Sequence, residues 1–130
     1  MNRRVLGVAL LVAAVAAAGG VVAVQRANRE SAVATTLIWA RLAPLPASAR
    51  GVSVDASGSA FSRTFDLSFQ APANDLRQWL RASPGAASAA AEPDPSGAVT
   101  YRIAPGGGAQ VARVVVDYAR ERVAVHVEWS

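Results

Sequence analysis

The chain has 130 residues, which fits one domain with a short appendage, and 52% of them are hydrophobic. Its 13 basic and 9 acidic residues give a net charge of +4, but from Ser31 onward nine arginines stand against eight acidic residues. This nearly neutral part lacks the basic patch of a nucleic-acid-binding protein. The absence of cysteine excludes disulfides, thiol catalysis and cysteine-ligated zinc.

An apolar run near the N-terminus predicts a membrane anchor. Residues 5–24 are all apolar or glycine and follow a short flank, residues 1–4. A helix of 20 residues is about 30 Å long, so this run can span the lipid bilayer once. A cleaved signal peptide is the alternative, with Ala16–Ala18 as its small-residue cleavage site. Because Arg3 and Arg4 precede the run, the positive-inside rule favours a C-terminal domain outside the cytoplasm, in the periplasm or at the cell surface.

The residues after the anchor are less regular. Residues 25–50 are interpreted as a juxtamembrane linker or helix, although their β-branched content also permits a strand. Pro44 and Pro46 end any regular element in this segment. We therefore expect the exported domain to comprise residues 51–130.

Apolar and polar residues alternate with period two in this domain, which predicts strands. The predicted strands are 52–54, 61–69, 99–103, 111–118 and 123–129. Residues 56–59 have the composition of a turn, and Phe61 is expected on the inner face of the second strand. The last two strands form a predicted hairpin across residues 119–122, with Val116 opposite Val125.

A single helix is predicted between the second and third strands. It covers residues 72–82, begins at a proline, and carries the apolar stripe Leu76, Trp79 and Leu80 at helical spacing. Residues 83–98 are rich in Pro, Gly and Ala and predict a flexible loop. The element order β-β-α-β-β-β indicates an α+β domain, a small antiparallel sheet with one helix packed on it, preceded by the transmembrane helix.

The terminal hairpin supplies a candidate interaction face. The predicted register places Val115 opposite His126 and Arg113 opposite Glu128, all on the side of the sheet away from the helix. These four side chains form a mixed polar and apolar patch. A solvated sheet face is the simpler interpretation of the same pattern.

Catalytic signatures are missing from the sequence. His126 is the only histidine, and a serine nucleophile would need it as a base, yet no G-x-S-x-G motif occurs. Gly106–Gly108 lacks the Lys-Ser/Thr that follows a phosphate-binding loop. We therefore expect no enzyme activity, no cofactor and no metal.

Four segments carry a resemblance to known sequences: LPASARGV (45–52), FDLSFQAPANDLRQWL (65–80), YRIAPGGGA (101–109) and VHVEWS (125–130). Together they resemble small membrane-tethered bacterial proteins of uncharacterised families, and this resemblance implies a tethered envelope domain without implying an activity. Pilin precursors also begin with an apolar helix, but the acidic residue usual near the start of that helix is absent here.

Two functional hypotheses follow. The first is a non-catalytic, membrane-anchored envelope protein whose exported domain binds another envelope protein. The second is a domain that binds a small ligand or lipid in a pocket between helix and sheet, lined by Leu76, Trp79 and Leu80.

Overall fold

A computed structural model describes residues 28–107 and 109–130 of the chain. The predicted flank 1–4 and membrane anchor 5–24 lie outside the described residues and stay predictions. In the described part, no helix has the length and apolar character needed to cross a membrane. Ala32–Ser130 form one compact unit, and of the preceding unit only residues 28–31, which are helical, are described.

Six antiparallel strands make one sheet in this unit. They are β1 (Arg50–Ser59), β2 (Ser62–Gln70), β3 (Ala91–Pro93), β4 (Val99–Ile103), β5 (Val111–Asp117) and β6 (Arg122–Trp129). Their order across the sheet is β1-β2-β6-β5-β4-β3, so β2 and β6 are neighbours although a long stretch of sequence separates them. The predicted antiparallel α+β class is confirmed, with one strand more than the five predicted.

The described residues contain three helices: α1, which is described from residue 28 to residue 39, α2 (Ala73–Ala82) and α3 (Pro84–Ala87). The predicted helix 72–82 is confirmed as α2, which begins directly after Pro72. Its acidic first turn and basic last turn complement the helix dipole through Asp75 and Arg81. The predicted stripe is its buried face.

The end of α1 brings residues 32–49 into the compact unit. The Leu42 N–H donates to the Leu37 carbonyl at 2.9 Å, and Arg41 takes a left-handed conformation with φ of 53°. This is a Schellman ending, in which an apolar pair closes the last turn. Leu37 and Leu42 are both buried in the core of the compact unit Ala32–Ser130.

The core lies between the helices and one face of the sheet, here called the inner face. Phe69, Val114 and Val125 are at most 2% exposed on this face. The Trp79 ring of α2 meets Phe69 edge to face with centroids 5.2 Å apart. The opposite face, here called the outer face, bears exposed or half-buried side chains.

The β1–β2 connection differs from the prediction. Ser59 lies opposite Ser62, so the turn is Ala60–Phe61 and not residues 56–59. Gly58 stays within the ladder at φ of 133°, where an added Cβ would lie 2.2 Å from the Ser62 carbonyl oxygen. The inward position predicted for Phe61 is wrong, because this side chain is 84% exposed at the tip.

The β5–β6 hairpin has a register two residues away from the predicted one. Val116 lies opposite Val123, and the connection begins at Tyr118. A contact with α2 fixes this connection, since the Glu121 Oε2 accepts a 2.7 Å hydrogen bond from the Ala73 N–H. A shift of two residues keeps every side chain on its predicted face.

The segment 83–98 is not the continuous loop predicted from its composition. It contains α3 and the short edge strand β3. Ser83 is fully buried, and its Oγ accepts from the Ala43 N–H at 2.9 Å while donating to the Trp79 carbonyl at 2.7 Å. Small residues allow this close packing: the Gly85 N–H donates to the Arg41 carbonyl at 2.8 Å.

Candidate functional site

The four residues of the predicted interaction face share the outer face of the sheet. Arg113 lies directly opposite His126, and Val115 lies opposite Ala124. The predicted pairs, Val115 with His126 and Arg113 with Glu128, are wrong because of the two-residue shift in the hairpin. Strand alternation still brings the four side chains together on one surface.

His126 forms the centre of a three-residue cluster on this surface. Its Nδ1 lies 2.5 Å from Asp66 Oδ1, and its Nε2 lies 2.8 Å from Glu128 Oε1. The imidazole side chain is 17% exposed, whereas the two carboxylate side chains are about half exposed. A histidine can donate hydrogen bonds from both ring nitrogens only when it is doubly protonated. Ionised carboxylates at both ring nitrogens therefore favour the imidazolium form.

The surroundings of His126 shift its pKa in opposing directions. Burial lowers the pKa, hydrogen bonds to Asp66 and Glu128 and the charge of Asp66 raise it, and the charge of Arg113 lowers it. The net result is a pKa above the ordinary value of about 6.5. The carboxylate contacts thus outweigh the effects of burial and of Arg113 on this pKa.

The outer face carries a charge gradient across its strands. Asp55 of β1 lies opposite Asp66, and Arg102 of β4 lies opposite Arg113. From one strand to the next, one row of side chains runs from acidic to basic: Asp55, Asp66, His126, Arg113 and Arg102. Arg102 is also paired with Glu92 at 3.1 Å, so Arg113 is the main uncompensated positive charge of this row.

Two shallow depressions interrupt the outer face. One, of about 270 Å³, is bordered by the Asp66–His126–Arg113 row, and the other, of about 410 Å³, is bordered by Asp117 and Arg122. They share the lining residues Ser68, Val115 and Ala124. The middle of the face is thus concave and partly apolar, and its rims are charged.

The hydrogen bonds of the cluster occupy both ring nitrogens of His126. In the described residues, no three His, Asp or Glu side chains converge as metal ligands. Both ring nitrogens of His126 contact carboxylates, so neither is free to activate a serine hydroxyl. What the site offers is a fixed pattern of charges around a small apolar centre.

The candidate pocket residues occupy a different place. Leu76, Trp79 and Leu80 are 0%, 4% and 6% exposed in the core. The Trp79 Nε1 donates to the Ala43 carbonyl at 2.9 Å, and this bond holds the indole of α2 against the segment that follows α1. The seam between α2 and the sheet is therefore occupied by these side chains themselves.

Sequence reasoning missed Asp55 and Asp66. Each is a polar residue in a strand whose apolar and polar residues alternate, and this alternation places both on the outer face. Their meeting with His126 depends on the pairing of β2 with β6, and Asp66 is 60 residues from His126. Local periodicity contains no signal for such a pairing.

Comparisons of the chain with models of protein families, with curated proteins and with solved structures found no match.

Proposed function

We propose that this chain is a non-catalytic, membrane-tethered envelope protein whose exported domain binds another protein through the outer face of its sheet. The observation that carries the proposal is the charge gradient on a sheet face whose opposite side packs against the helices. Sheets of this kind commonly leave one face in water, so exposure alone would be uninformative. The ordered sequence of charges across five strands adds the specific signal.

The chemistry of the face indicates the partner's chemistry. A complementary surface places basic groups against Asp55 and Asp66 and an acidic group against Arg113. Such a pattern orients a partner in one direction only, since rotation by half a turn would oppose like charges.

The concave centre suits a single apolar side chain of the partner. Val115 is half-buried and Ala124 is exposed there, and both lie between the charged rims. An apolar centre with a polar rim is the usual anatomy of a protein interface.

The membrane tether in this proposal is the predicted anchor 5–24, and export of the domain follows from its flanking charges. Intact mass of the mature protein tests the anchor. A retained N-terminus supports it, and loss of the residues up to Ala18 would show a cleaved signal peptide instead.

The interaction is tested by copurification from native membranes in mild detergent, with mass spectrometry of the bound proteins. The Arg113→Glu variant reverses one charge of the outer face, and the Arg63→Glu variant reverses a charge on the inner-face side of β2. We expect a stoichiometric partner with wild type and Arg63→Glu and its loss with Arg113→Glu. Equal recovery with both variants, or no partner with wild type, contradicts the proposal.

The alternative ligand pocket at the helix–sheet seam has less support. Its three lining residues, Leu76, Trp79 and Leu80, are buried core side chains, and the Trp79 ring contacts Phe69 edge to face.

A further inference from the structure

A further depression lies away from the outer face, where α2 and α3 meet β4. It is an open depression of about 430 Å³, a volume within the range of small-molecule sites. Leu80, Ala86 and Ala89 supply an apolar wall. Two arginines and two tyrosines supply its polar groups: Arg77, Arg81, Tyr101 and Tyr118.

The two arginines are Arg77 and Arg81 of α2. They are four positions apart, which places them on the same side of the helix, and both side chains are exposed. In the described part of the chain, neither has a carboxylate within 4.0 Å, and no acidic residue lines the depression. The depression therefore carries two positive charges without compensation from its own walls.

One of these charges is already held in place. The Arg77 guanidinium carbon lies 4.4 Å from the centre of the Tyr118 ring, a cation–π distance. Because this contact already orders the Arg77 side chain, less conformational entropy is lost when the side chain binds an anion.

The tyrosine pair adds a hydrogen-bond donor. The hydroxyls of Tyr101 and Tyr118 are 3.1 Å apart, so one donates to the other and the accepting hydroxyl keeps its own proton for a third group. Burial, together with the hydrogen bond and charge interaction with Tyr101, raises the pKa of Tyr118 to about 12, although the charges of Arg77 and Arg81 lower it. Both guanidinium groups thus act on one phenol that stays protonated at neutral pH.

We propose that this depression binds a small organic anion, whose carboxylate or phosphate oxygens are held by Arg77 and Arg81 and whose apolar body lies against Leu80, Ala86 and Ala89. Guanidinium groups match both kinds of oxyanion with paired donors. This site is separate from the outer face, so it adds a small-molecule ligand to the proposed protein-binding role.

The test uses the full-length protein in detergent micelles, with NMR signals of the Arg Nε–H groups as the readout. The probes are benzoate, phenyl phosphate and the neutral analogue benzamide, added at constant ionic strength. We expect saturable shifts of the Arg77 and Arg81 signals with one or both anions and none with benzamide. Benzoate alone would identify a carboxylate site, and phenyl phosphate alone a phosphate site.

The variants Arg77→Gln and Arg81→Gln are each expected to weaken anion binding about tenfold, since each removes a charged hydrogen-bond donor. Arg63→Gln is the matched control, an exposed arginine outside the depression. Tyr118→Phe keeps the aromatic ring and removes only the hydroxyl, and a smaller loss is expected. Shifts that do not saturate, that occur equally with benzamide, or that are unchanged in both arginine variants would overturn the proposal.

Discussion

His126 of β6 and Asp66 of β2 lie directly opposite each other in the sheet, with His126 Nδ1 2.5 Å from Asp66 Oδ1. Glu128 contacts the other ring nitrogen at 2.8 Å, so one imidazole joins carboxylates from two central strands. The pair thus couples protonation of the outer face to the stability of the sheet.

This coupling predicts a pH dependence of folding. Because the folded-state pKa of His126 is raised, its contribution to stability is fully present below the unfolded-state pKa of about 6.5 and is lost as the pH rises through the folded-state value. Urea unfolding of the full-length protein should show this loss above pH 6.5, and it should be absent in His126→Gln. NMR titration of the imidazole should place its pKa above 6.5 and lower in Asp66→Asn. A wild-type pKa at or below 6.5 contradicts the assignment.

The buried hydroxyl of Ser83 makes a second prediction. Ser83→Ala removes two hydrogen bonds and leaves the Ala43 N–H without its partner, so the free energy of unfolding should fall by about 1–3 kcal/mol. Ser88→Ala is the control, because the Ser88 hydroxyl bonds the Pro84 carbonyl at an exposed position. Equal effects of the two substitutions would contradict the packed arrangement of this segment.

Glu121 caps the first turn of α2 from the β5–β6 connection. Glu121→Ala removes the acceptor of the Ala73 N–H and should lower the free energy of unfolding by about 0.5–2 kcal/mol, measured by chemical denaturation. Glu121→Gln keeps an acceptor oxygen and should cost less. If Glu121→Ala left the free energy of unfolding unchanged, the view that this contact fixes the hairpin register would be contradicted.

The sequence predicted the face of the sheet on which each side chain lies better than it predicted which residue lies opposite on the neighbouring strand. Alternation along β5 and β6 places Arg113, Val115, His126 and Glu128 on one side, and this placement survives a register error because the shift is by two residues. The error itself arose because a tertiary contact, from Glu121 to α2, decides where the connection begins. Such a contact leaves no local pattern in the sequence.

Two other differences have the same origin. Ser83 and Gly85 give no periodic apolar signal, yet both are buried because small side chains allow α3 to approach the end of α1 closely. Phe61 is apolar and fits the strand pattern, but the two-residue turn leaves it in solvent. Apolar residues at turns are exposed often enough that periodicity alone misplaces them.

The charge gradient predicts how partner binding responds to salt. Since Asp66 and Arg113 lie on an exposed face, their attraction to complementary charges is screened at high ionic strength. The amount of partner that copurifies should therefore decrease as the salt concentration rises from about 50 mM to about 500 mM. The Arg113→Glu variant should copurify little partner even at the lower concentration. Recovery independent of salt would indicate an interface that does not use these charges.

Site-specific photo-cross-linking in native membranes tests the protein-binding surface most directly. A photoreactive amino acid placed at Ala124, an exposed residue at the centre of the outer face, should cross-link to one partner protein. The same amino acid at Gln78, an exposed residue of α2, should not cross-link to that partner. Cross-linking from Gln78 alone, equally from both sites, or from neither site would contradict binding through the outer face.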